Sequence, residues 1–134
     1  MKKIVWLGLL AGLLTLLVGT GITYLMNFLS PSLAAEYQNT ALFRAWDDPL
    51  MSLFFAYPFV LCLALAWFWH KVKKVLTDGK IRDFVLIYFF IATVPGMLIS
   101  YSSFQVSLAM TLLWTVSGLI NVFVAALVFK KFDK

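Results

Sequence analysis

The sequence predicts an all-α integral membrane protein: a four-helix bundle with a short amphipathic outer-side helix between the first and second spans. Three observations predict it. Of the 134 residues, 63% are hydrophobic and only 13% charged, with a mean hydropathy of +0.93, whereas a soluble domain carries about 25% charged residues. Charge is absent from residues 4–35, 49–69 and 84–129, and a helix needs about 20 apolar residues to cross the hydrocarbon. The basic residues gather in three short segments that four spans would bring to one side of the membrane.

The first charge-free run accommodates a span at about residues 4–28. Its start, MKKIVWLGLLAGLL, has the basic and apolar regions of a secretory signal. The apolar run is too long for a cleaved one, so a retained anchor is expected. The second span is expected at about 50–70. The run from Phe84 to Phe129 is far too long for one helix crossing about 30 Å of hydrocarbon. It must turn back, and YSSFQVS at 101–107 is its most polar part, which gives spans at about 83–102 and 106–129. All four belong to a single domain, residues 1–134.

With four spans, both termini and the loop at 70–83 share a side that collects Lys2, Lys3, Lys71, Lys73, Lys74, Lys80, Arg82, Lys130, Lys131 and Lys134. Only Arg44 lies opposite. Basic residues mark the cytoplasmic side, so the expected location is the cytoplasmic membrane, multi-pass, with both termini inside. The same distribution accounts for the net charge of +5 without nucleic acid, and it attracts anionic lipid headgroups. Trp6, Trp67 and Trp69 are placed at the inner boundary as anchors.

Helix association is the strongest functional signal. Gly8, Gly12, Thr15, Gly19 and Thr23 recur every three or four residues and line one face of the first span. Small residues allow the close helix approach that drives packing in lipid. Ala92, Gly96 and Ser100 repeat the pattern in the third span, as do Thr111, Thr115, Gly118 and Ala125 in the fourth. Pro58 and Pro95 are expected to bend their helices.

The predicted hydrocarbon holds no Asp, Glu, Lys or Arg, and coupled transport ordinarily requires such groups there. Cys62 is the sole cysteine, which excludes an internal disulfide exchange. His70, the sole histidine, has no ligand-spaced companions. No metal, no cofactor and no enzymatic activity are expected.

The candidate ligand-binding residues are Arg44, Trp46, Asp47, Asp48 and Asn121. The first four lie in the stretch RAWDD just before the second span, where polar and aromatic groups together can build a recognition site with Glu36 and Tyr37. A simpler account competes: Asp48 before Pro49 caps the second span, and Arg44 pairs with Asp47 or Asp48. Ser32 is expected to cap a short helix with Glu36 in its first turn, whose apolar side is Leu33, Tyr37, Ala41, Phe43 and Trp46. Asn121 and Asn27 carry amides that need partners in lipid.

The expected function is a non-enzymatic helix-association or binding module, with membrane lipids and a homo-oligomer or membrane protein as partners. The alternative is a passive pore or small-molecule carrier along Thr93, Ser100, Ser117 and Asn121. A third reading, a lipid-active enzyme with Asp47 or Asp48 as base, lacks a nucleophile.

Overall fold

The structure is a computed structural model that describes residues 1–76 and 80–133, the side chain of Lys80 excepted. The tip of the basic loop, 77–79, and Lys134 lie outside the described residues. Four helices are long and apolar enough to cross a membrane: Lys2–Leu29, Pro49–Val72, Ile81–Ser103 and Leu108–Phe132. These ranges contain most of the predicted spans and run a few residues further toward the basic end. Lysine stems reach through the apolar boundary to water, so a charge does not have to end a helix.

In chain order the elements are α1 (Lys2–Leu29), α2 (Pro31–Tyr37), a 3₁₀ turn (Pro49–Met51) leading into α3 (Ser52–Val72), α4 (Lys80–Tyr88), a π-helical turn (Phe89–Thr93), α5 (Val94–Ser103) and α6 (Leu108–Phe132). Helix α4, the π turn and α5 together make the third span. Pro58 is absorbed within α3. Pro95 instead follows a change of hydrogen-bond pattern, in which the Val94 N–H donates to the carbonyl of Phe89. A π turn is a common local solution where the ordinary ladder is interrupted.

Helix α1 packs along both α3 and α6. Its glycines explain the α3 contact. A Cβ added at Gly8 would lie 2.8 Å from the Cα of Leu63, and one at Gly12 would lie 2.9 Å from the Cα of Phe59. Backbones this close admit no side chain between them. The Thr15 hydroxyl donates to the Gly12 carbonyl at 3.0 Å and lies 3.5 Å from the Cys62 sulfur, continuing the seam. The predicted small-residue face is thus occupied within the chain.

Further along α1, a Cβ on Gly19 would meet the amide of Asn121 at 3.7 Å. On α6, one on Gly118 would meet the Thr93 methyl at 3.1 Å, which fixes the π turn against α6. The main core lies toward the basic end, where Trp69, Phe84 and Phe129 interlock with ring centroids 5.1 to 6.3 Å apart. Trp69 is 3% exposed, which corrects its assignment as an interfacial anchor. It shares the inward face of α3 with Cys62, Leu65 and Ala66. Trp6 and Trp67 remain about half exposed, at 52% and 58%.

Candidate outer site and the ion cluster at the basic end

The outer loop divides into two parts with different partners. In the first, α2 lies on the start of α6. Leu33, Val106 and Met110 are buried there, with Tyr37, Phe43 and Trp114 packed around them. The Trp114 indole N–H donates to the Tyr37 hydroxyl at 2.6 Å. Burial pushes the Tyr37 hydroxyl above its usual range, and the neighbouring Glu36 charge adds to the effect against the Trp114 hydrogen bond.

Glu36 differs from its expected role. Helix α2 starts after Ser30, whose side chain makes no capping bond, and Glu36 falls in its last turn. Its Oε1 instead accepts the backbone N–H of Ser107 at 2.6 Å, at the N-cap of α6. The Ser107 hydroxyl accepts from Met110 N–H at 3.1 Å. An acid at a helix N-terminus is the right physics, but the helix it serves lies across the bundle. Of the predicted apolar side, Leu33, Tyr37 and Phe43 pack inward, while Ala41 and Trp46 are exposed.

The second part is the RAWDD stretch. The Arg44 guanidinium donates to Asp48 Oδ2 at 2.8 Å, and Asp48 Oδ1 accepts the Leu50 N–H at 2.8 Å. The Leu50 bond and then Arg44 hold the Asp48 carboxyl below the usual carboxylate range. Trp46 is exposed and meets Phe54 edge-on at 6.1 Å, and Asp47 is exposed. Arg44 and Asp48 therefore come together as cap and ion pair, while Glu36 and Tyr37 point to α6.

The intramembrane candidates occupy separate contacts. Asn121 faces Gly19, with its Oδ1 buried and, among the described residues, without a hydrogen-bond partner, as is that of Asn27. Thr93 is buried against Gly118, and the Ser100 hydroxyl donates to its own helix at Gly96 O, 2.9 Å away. A crevice of about 180 Å³ between α5 and α6 is lined by Val94, Met97, Tyr101, Leu112, Thr111 and Thr115, among others. The two threonine hydroxyls donate to the α6 backbone at Ser107 and Thr111.

Sequence reasoning missed the most charged contact among the described residues. Asp133, whose side chain is 3% exposed, lies 2.7 Å from the Lys73 ammonium, 3.1 Å from that of Lys3 and 3.9 Å from His70 Nδ1. It joins the start of α1 and the ends of α3 and α6. Burial would raise its pKa, but the hydrogen bonds from Lys73 and Lys3 outweigh burial and hold it below the usual range. The available signal was its isolation: Asp133 is the one acid beyond Asp83, set among lysines. This cluster also places both termini and the end of α3 on one side of the bundle.

No group of three His, Cys, Asp or Glu that could hold a metal occurs among the described residues. The fold defines the class, a multi-pass helical membrane bundle. No known family matches the chain, and neither does any characterised protein or solved structure.

Proposed function

We propose that this chain is a non-enzymatic membrane module that works by lateral helix association, offering its third span to a second membrane-embedded helix. The carrying observation is the contrast between its small-residue faces. Gly8 and Gly12 of α1 are consumed by α3, whereas a Cβ on Gly96 would meet nothing within 4 Å. Ala92 is exposed on the same face one turn earlier, and Ser100 satisfies its own hydroxyl on Gly96 O. Such a face admits another backbone closely. By helical spacing it lies opposite the Val94, Met97 and Tyr101 side that lines the α6 crevice. The excess of basic residues at the end carrying both termini supports a cytoplasmic location for that end.

The test places a photo-crosslinking residue at Ala92 in the full chain in native membranes, and measures the mass of the solubilised particle. A protein adduct that disappears in Gly96→Leu but persists in Gly21→Leu is expected, since Gly21 also has open space around it. Adducts to lipid alone, with a monomeric particle, would overturn the proposal.

A further inference from the structure

The ion pairs at the basic end divide its lysines into two sets. Lys3 and Lys73 are engaged by Asp133. Lys2, Lys71, Lys74, Lys130 and Lys131 are exposed, and none of them has an ion-pair partner among the described residues. One member of the second set, Lys131, stands at an aromatic ledge between α1 and α6. Trp6 contacts Phe132 edge-on, with ring centroids 5.7 Å apart and planes at 82°. The Lys131 ammonium stands 5.4 Å from the Phe132 centroid. Lys2 lies one turn before Trp6 on the same helix face. Both rings remain accessible, Trp6 at 52% and Phe132 at 42%.

The chemistry of this corner is that of an amphiphile's complement. Two cations stand at the membrane surface beside a pair of rings, in the zone where aromatic side chains sit level with headgroups. This arrangement offers charge to an anionic headgroup and apolar ring surface to the first carbons of its tails. Nearby, Asp133 carries a negative charge, but it is buried and faces Lys3 and Lys73. The α3 side differs. Lys71 follows Trp67 by one turn, yet Trp67 makes no ring contact with another helix among the described residues. We propose that Lys2, Trp6, Lys131 and Phe132 form a binding site for the headgroup of an anionic phospholipid. The site stands whether or not the third span docks a partner.

The experiment titrates phosphatidylglycerol into the full-length protein in neutral micelles doped with phosphatidylcholine, and reads bound lipid by native mass spectrometry. Phosphatidylglycerol is expected to be retained in preference to phosphatidylcholine. Each lysine near an anionic headgroup contributes about fivefold, so Lys2→Gln with Lys131→Gln weakens retention by about 25-fold. Trp6→Leu weakens it with every charge kept, and Lys71→Gln with Lys74→Gln leaves it nearly unchanged. Equal losses in the two lysine pairs would overturn the proposal in favour of a diffuse basic collar. Displacement by inorganic phosphate, or equal retention of phosphatidylcholine, would overturn it as well.

Discussion

Replacing Gly12 with alanine adds one methyl group at the closest approach of two spans. The new Cβ would stand 2.8 Å from Phe59 Cδ1 and 2.9 Å from Phe59 Cα. Carbon atoms pack best at about 3.5 to 4.0 Å, so α1 and α3 must separate by at least about half an ångström. The ring can rotate away, but the Cα can move only with its helix. Overpacking of this kind costs about 1 to 3 kcal/mol, and the loss of close contact along the seam favours the upper half. Alanine is otherwise the better helix former, by roughly 0.5 to 1 kcal/mol. A net destabilisation of about 1 to 2 kcal/mol is therefore expected for Gly12→Ala. Gly21→Ala provides the control, because nothing lies within 4 Å of its added Cβ. Reversible unfolding in mixed micelles, followed by circular dichroism, measures both. If Gly12→Ala proves as stable as Gly21→Ala, the α1–α3 seam is looser than described, and the reasoning fails.

Two further predictions concern the ends of the bundle. Asp133→Asn removes a charge-assisted bond to Lys73, worth about 1.5 to 3 kcal/mol, and a half-exposed pair with Lys3 worth about 0 to 1 kcal/mol. A net loss of about 2 kcal/mol is expected in the same unfolding assay. Because the folded-state pKa of Asp133 is lowered, its contribution is fully present above the unfolded value, about 3.9, and is lost as pH falls through the folded value. The acid-range decline in stability should accordingly be shallower in Asp133→Asn, and an unchanged profile would remove Asp133 from the account. Glu36→Ala leaves the Ser107 N–H without its acceptor and should cost about 1 to 2 kcal/mol. Glu36→Gln keeps an acceptor and should cost less, with hydrogen exchange at the first turn of α6 as the readout.

Much of the fold was legible because lipid punishes ambiguity. A charge-free run long enough to span, and too long to span once, leaves few arrangements of Phe84 to Phe129. The Asp48 and Pro49 pair was legible for a similar reason, since cap and first helical residue are neighbours in sequence. Partner choice was not legible. The glycines of α1 announce close packing, but only the folded bundle assigns Gly8 and Gly12 to α3 and Gly19 to Asn121. Glu36 shows the same limit, because an acid suited to a helix N-terminus does not state which helix. Trp69 misled because hydropathy near a span end fits an interfacial ring and a core ring equally well. The π turn left no trace apart from Pro95 two residues beyond it.

The contact between Lys3 and Asp133 has a consequence for assembly. Lys3 opens the first span and Asp133 follows the last, so in an order that follows synthesis this pair cannot close until α6 is in place. The α1–α3 seam needs only the first half of the chain. Until α6 is in place, Lys3 and Lys73 are without their contact to Asp133. Asp133 reaches them afterwards. The contact that ties the start of α1 to the end of α6 is therefore the last of these to form.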